Sequence, residues 1–362
     1  DMDLQQAAES KLREFDTPGA AVAMDVRTGE VLVLASVPDY DLGIFSPRLS
    51  LAASADIEKR QAWANRAITS AYPPGSTFKI LTTIAGLRSG AITPDESIIN
   101  CAGVLRKGRN YVCYNGRGHH GDVLLPEAIS SSCDIFFYEA GWLTTAERIA
   151  EEARRFHLDR PTGIQLPNET HRMVMPDQAW KAENTGQNWY PGDTANMAIG
   201  QGYVLVTPLG MASFTASLAR GEVFTQPTLL YKPNAPTQHT ESIGLTKEQR
   251  AALIAGMEGC TTIGTARVLT NLAALRVPGV RIAGKTGTAQ IPGKKNVAWF
   301  ICFAPIENPE IAIAVAIEGD TAGEEFGGGL YAAPVASRIL QEYFKKKNQP
   351  KPNPTIKPFN FD

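Results

Sequence analysis

Three short runs hold side chains that could carry out acyl transfer together. Ser76 and Lys79 stand three apart in Tyr72-Pro73-Pro74-Gly75-Ser76-Thr77-Phe78-Lys79, Ser132 and Asp134 flank Cys133, and Lys285-Thr286-Gly287-Thr288 comes late in the chain. A serine hydroxyl is a poor nucleophile alone. A neighbouring lysine whose ammonium is destabilised by burial and nearby cations can take its proton. Taken by itself, the Ser76/Lys79 pair also fits a capping serine beside a solvated lysine, so the other two runs must decide.

A second constellation lies in a Gly-, Asn- and Arg-rich stretch. Cys101, Cys113, His120 and Cys133 are three thiols and one imidazole, the last of them inside the Ser132-Cys133-Asp134 run. Such ligands suit a closed tetrahedral zinc site that would staple a loop poor in apolar residues. A Cys101–Cys113 disulfide or unpaired thiols are the alternatives, and His119 could stand in for His120. Cys260 and Cys302, in apolar surroundings, read as core thiols.

The elements that must position these groups can be read in outline. The Pro-Pro-Gly run stops any preceding element, and from Ser76 the apolar residues predict a buried helix ending near Gly90, with Ser76 and Lys79 on one face. Leu4, Ala7, Ala8, Leu12 and Phe15 predict a first amphipathic helix. Ala20–Met24 and Val31–Ala35 flank Arg27-Thr28-Gly29-Glu30 as a hairpin. Residues 38–60 read as irregular and 94–125 as a loop-rich insertion. Residues 126–220 read as mainly helical, interrupted between Pro161 and Asp193. Three strands are expected over Val280–Gln290, Val297–Ala304 and Ile311–Glu318, with turns at Pro292-Gly293 and Asn308-Pro309. A last helix covers about Ala332–Phe344, and a loose tail follows over 345–362. The pattern is α+β: one antiparallel sheet flanked by helices, with a helical subdomain and insertion within about 80–220 and the active site between the two parts.

Composition narrows the function classes. The chain has 362 residues, 43% hydrophobic and 20% charged, enough for one large core or two modest ones. A net charge of −2 argues against a nucleic-acid partner or a polybasic membrane surface. No apolar run reaches the roughly 18 residues of a membrane span. Asp1 falls within an amphipathic segment, which suggests a domain taken from a longer protein with any anchor upstream.

The order S-x-x-K, S-x-D, K-T-G resembles the signature of penicillin-binding proteins and serine β-lactamases. Asn65-Arg66-Ala67, Gly200-Gln201-Gly202 with Val206-Thr207-Pro208, and Ala298-Trp299-Phe300 with Phe303-Ala304-Pro305 make the chain similar to class B penicillin-binding proteins of the elongation-type PBP2 group. The likeness covers nearly all of it, as a transpeptidase domain over 1–344. The resemblance implies the penicillin-binding transpeptidase (serine β-lactamase-like) fold and a peptidoglycan D,D-transpeptidase that β-lactam antibiotics acylate. It makes Ser76 the nucleophile, Lys79 its base, Ser132 the proton relay to the leaving amine and Lys285 the positive anchor. Thr286, Gly287 and Thr288 would hold the substrate carboxylate, and the N–H groups of Ser76 and Thr288 the oxyanion. Asp134 stands where many relatives have Asn, which alters its substrate contact. Some relatives bind zinc here through carboxylates, a histidine and the S-C-D cysteine; cysteines stand at the two carboxylate positions in this chain. Also implied are stem peptides as substrate, a SEDS-type glycosyltransferase and elongation-complex proteins as partners, and a periplasmic location. A D,D-carboxypeptidase and a non-catalytic β-lactam sensor or scaffold are the rival readings. A β-lactamase is disfavoured, because no glutamate context suggests an activated deacylating water.

Overall fold

The computed structural model describes residues 1–113, 119–231, 239–291, 296–319 and 326–348. Helix α1 (Met2–Arg13) is capped by the Asp1 carboxylate, which accepts from the N–H groups of Asp3 and Leu4, and it buries Leu4, Ala7, Ala8 and Leu12. Strands β1 (Gly19–Asp25) and β2 (Val31–Val37) form the expected hairpin. Its turn is held by Asp25, whose side chain accepts from the backbone of Arg27 and Thr28. Helices α2 (Leu51–Arg60) and α3 (Arg66–Thr69) then lead to a 3-10 turn, Gly75–Phe78, and helix α4 (Lys79–Arg88).

The insertion is a pair of small ribbons rather than a loop. Strand β3 (Ile99–Cys101) pairs with β6 (Gly121–Val123), and β4 (Val104–Lys107) with β5 (Arg109–Val112). Most side chains on these strands are at least partly exposed; only Cys101, Tyr111 and Val123 are buried, so no alternating pattern marks the strands in the sequence. Helices α5 (Leu125–Ser130), α6 (Asp134–Thr144), α7 (Ala146–Arg155), α8 (Gln178–Thr185), α9 (Pro191–Ala198) and α10 (Pro208–Arg220) build the helical part, with α8 inside the stretch read as an interruption. Helices α11 (Lys247–Thr262) and α12 (Val268–Asn271) follow. The chain then returns through β7 (Ala283–Ala289), β8 (Val297–Ala304), β9 (Ile311–Glu318) and α13 (Ala332–Asn348).

One antiparallel sheet in the order β2-β1-β9-β8-β7 organises the molecule. Strand β9 explains how it is covered on both faces. Its sequence alternates Ile311, Ile313, Val315 and Ile317 with Ala312, Ala314 and Ala316. The branched set packs with α1 and α13, including Leu4, Leu12, Ile339 and Leu340. The alanines face the other core, with Met211, Phe214 and Leu218 of α10, where small side chains let a helix lie close to the sheet. Each fully buried Ile or Val contributes about 1.5–3 kcal/mol over leaving it exposed.

Several boundaries differ from the sequence reading. Helix α2 lies in the stretch read as irregular, because only Ile57 of its ten residues is buried and it carries no apolar stripe. Helix α13 runs to Asn348, into the segment read as a loose tail. There Lys346 pairs with Asp1 and Asp3, and Lys347 with Glu310. The Pro292-Gly293 turn and residues 349–362 lie outside the described residues. No helix among the described residues is long and apolar enough to cross a membrane.

Candidate active site

The nucleophile segment is not an α-helix from Ser76 onward. Gly75–Phe78 is a 3-10 turn and the α-helix begins at Lys79, so the segment tightens where backbone pieces crowd together. Gly75 has φ of 54°, in the left-handed region that favours glycine, and its N–H donates to Gly200 O at 2.9 Å. A Cβ on Gly200 would lie 2.2 Å from Gly75 O, and one on Gly287 would lie 2.7 Å from Pro74 O. Strand β7 and the Gly200 turn therefore touch the nucleophile loop backbone to backbone. Side chains fix the loop from behind. The indole N–H of buried Trp299 donates to Pro73 O at 2.9 Å, and Tyr72 donates its hydroxyl proton to Glu318 at 2.8 Å, beside Arg66.

Ser132 owes its place to the end of α5. Cys133 N–H donates to Ala128 O at 2.9 Å and Ser132 N–H to Ile129 O at 3.2 Å, the two bonds of a Schellman ending. The residue that must then turn left-handed is Ser132, with φ of 58°. Glycine is usual there, and a side chain costs about 1–2 kcal/mol. That strain aims the hydroxyl at two lysines. Lys285 Nζ donates to Ser132 Oγ at 2.9 Å, and Lys79 Nζ lies 3.2 Å from the same oxygen and 2.8 Å from Ser132 O.

Lys79 is fully buried, and its closest partner is Asp134 Oδ1 at 2.6 Å. Asp134, expected to contact substrate, is engaged inward by Lys79 while still lining the cleft. Lys285 is equally buried, and desolvation, with Lys79 adding to it, pushes its ammonium down to about 8. At neutral pH Lys285 remains mostly cationic.

These groups open onto a cleft of about 960 Å³ lined by Ser76, Ser132, Asp134, Thr286, Gly287 and Thr288. Gly75 and Thr288 abut: a Cβ on Gly75 would lie 2.8 Å from Thr288 O, so the two segments expected to supply oxyanion N–H groups are adjacent. The sequence reading passed over Thr265 and the glycine run 327–329, which also line this cleft. Gly328 lies across the sheet edge, where a Cβ would meet Trp299 O at 1.9 Å and Gly287 O at 2.8 Å. A Gly-Gly-Gly run was the one available signal of so close an approach.

Behind Ser132, the second constellation converges. Ligand atoms of Cys101, Cys113, His120 and Cys133 all lie within 4.8 Å of one another. His120 Nδ1 is 3.4 Å from Cys101 Sγ and 3.6 Å from Cys113 Sγ, and the sulfurs of Cys113 and Cys133 are 4.0 Å apart. Tetrahedral zinc, with bonds of about 2.3 Å to sulfur and 2.0–2.1 Å to nitrogen, needs separations of roughly 3.5–3.8 Å. The donor set fits such an ion. None of the five cysteines is in a disulfide, and the Cys113–Cys133 gap is far from the ~2.05 Å of one. The hydrogen bond between these two thiols favours ionisation of Cys113 and disfavours that of Cys133. His119 packs beside Gly103 and is not one of the four converging residues.

Residues 19–341 match the model of the penicillin binding protein transpeptidase domain, and the chain belongs to this family. Within the family its relatives are of the PBP2 type. The peptidoglycan D,D-transpeptidase PbpA of Mycobacterium tuberculosis is 32% identical over 351 residues, covering 89% of this chain and 66% of the relative. The crystal structure of Pseudomonas aeruginosa PBP2 in complex with WCK 5153 superposes with a TM-score of 0.84 at 32% identity, over 95% of this chain and 74% of that one. Helicobacter pylori PBP2, solved in complex with MreC, gives 0.82 at 29% identity, over 96% of this chain and 63% of that one. The chain thus spans about two thirds of the length of such relatives.

Proposed function

We propose that the chain is the acyl-transfer domain of a peptidoglycan D,D-transpeptidase of cell elongation, and that β-lactams acylate it at Ser76. The observation that carries this reading is the convergence of Lys79 and Lys285 on Ser132 Oγ in the cleft that Ser76 also lines. Ser76 Oγ bonds to the penultimate D-alanine carbonyl of a stem peptide as its proton passes to Lys79. The oxyanion is held by the N–H groups of Ser76 and Thr288. The peptide C–N bond breaks, and the departing D-alanine nitrogen takes a proton by way of Ser132. An acceptor amine then attacks the ester, gives up its proton along the same route and releases Ser76. Lys285, Thr286, Gly287 and Thr288 hold the substrate carboxylate, and Asp134 serves as counter-ion to Lys79. Incubation with a D-Ala-D-Ala pentapeptide and an acceptor amine should give the transferred peptide. Hydrolysis alone would mark a carboxypeptidase, and a stable β-lactam adduct without turnover a sensor or scaffold.

The same reading places the domain outside the cytoplasmic membrane, anchored by an upstream segment. Its partners would be a SEDS-type glycosyltransferase and elongation-complex proteins. The MreC complex of the Helicobacter relative supports the second class.

Cys101, Cys113, His120 and Cys133 hold one structural zinc in this proposal. The ion ties the ribbon insertion to the residue between Ser132 and Asp134, so the backbone of both site residues is constrained from the far side. Elemental analysis should find about one zinc per chain, and Cys113→Ser should lose the metal together with thermal stability. Acylation should slow on metal removal without moving to another serine. A metal-free purified protein with Cys101 bridged to Cys113 would overturn the zinc reading.

A further inference from the structure

Helix α11 ends beside the cleft in a turn that the catalytic roles above leave unused. Gly264 N–H donates to Gly259 O at 2.9 Å and Ala266 N–H to Cys260 O at 2.8 Å, which folds Thr265 back toward the sheet. The turn is pinned from both sides. A Cβ on Gly264 would lie 2.2 Å from Ser130 O, at the end of α5, and one on Gly329 would lie 2.3 Å from Thr265 O. The Thr265 backbone is therefore clamped between the segment that presents Ser132 and the glycine run over β7.

The Thr265 side chain joins two partners. Its Oγ1 is 2.5 Å from Thr286 Oγ1 and 3.2 Å from Cys260 Sγ. Cys260 is completely buried, Thr286 is 6% exposed, and Thr265 and Thr286 both line the cleft. Each of the three groups has one hydrogen to donate. A carboxylate can only accept, so a Thr286 hydroxyl facing one must spend its hydrogen on the ligand. Its oxygen is then left to accept from Thr265, whose oxygen in turn accepts from the Cys260 thiol. The direction of the chain is fixed once the ligand is anionic.

We propose that Thr265 is a positioning residue that turns the Thr286 hydroxyl toward the carboxylate of the acyl donor, with the Cys260 thiol setting the direction from behind. This rests on the transpeptidase reading for the presence of that carboxylate. Without Thr265, the Thr286 hydrogen is free to rotate to other acceptors, and selectivity for anionic donors drops while the acylating serine is untouched.

The test compares two donors on the unmodified protein and on Thr265→Val, which keeps the shape and removes the hydroxyl. One donor is a D-alanyl thioester whose leaving group carries a carboxylate, and the other is its neutral methyl ester. The variant should acylate about five- to tenfold more slowly with the anionic donor, the scale of one neutral hydrogen bond, and nearly normally with the ester. Thr265→Ser should restore the difference. Cys260→Ala should shift the same ratio in the same direction by a smaller factor, which covers the case in which Thr265→Val does not fold. Equal losses on both donors, or none on either, would overturn the positioning role. Failure of the unmodified protein to react with either donor or with benzylpenicillin would instead sink the transpeptidase reading.

Discussion

Ser76→Ala is expected to abolish the covalent adduct with benzylpenicillin, while the unmodified chain gains one drug mass on the peptide containing Ser76. The expectation follows from the placement of the hydroxyl. Ser76 lines the cleft at the start of a turn clamped by Gly200, β7 and Trp299, and its chain neighbours leave it no freedom to retreat. Ser132, the other motif serine, accepts at its Oγ from Nζ of both Lys79 and Lys285. The loss should be complete rather than partial, because Ser132 is already held by both lysines. Intact-mass measurement followed by peptide mapping checks it. An adduct on another residue, or one that persists in Ser76→Ala, defeats the assignment.

Lys79→Arg should slow acylation by about 10²–10⁴-fold, the usual contribution of a general base. Arginine keeps the charge and can still pair with Asp134, but it does not give up its proton near neutrality. The ion pair at 2.6 Å sharpens the comparison, since a purely structural Lys79 would be served nearly as well by a guanidinium. Lys79 is fully enclosed, so the larger group needs a melting curve beside the kinetics to show that the fold survives. Near-normal acylation by a folded Lys79→Arg protein would assign the proton to another group.

Much of this arrangement was legible before any coordinates. Strands β8 and β9 fall over the residues expected of them, because both faces of the sheet are buried and each strand is a nearly continuous apolar run. The three motifs were visible because acyl transfer needs hydroxyl and ammonium groups at fixed places. What stayed hidden was set by tertiary contact. Ser132 takes a glycine's place in a helix ending, and nothing local announces that. Asp134 turns toward Lys79 from 55 residues away in sequence, a distance no periodicity reports. Helix α2 buries a single residue, and the ribbons of the insertion bury few, so neither leaves a period to detect. Thr265 lies in a stretch between 221 and 279 where the sequence reading drew no elements, and it matters only through what folds over it.

The glycine contacts around Ser76 have an evolutionary consequence. Gly75, Gly200, Gly287 and Gly328 let main chains meet with no side chain between them, so no small substitution there can widen the cleft by a fraction of an ångström. Any replacement collides with peptide backbone, which has nowhere to go. A lineage exposed to a drug that imitates its substrate is therefore denied gradual adaptation at the centre, where every drug of the class must react. Heritable change has to accumulate on other cleft side chains instead, such as the more exposed Val112 and Leu330. Tolerance gained there would come piecemeal, one compound at a time.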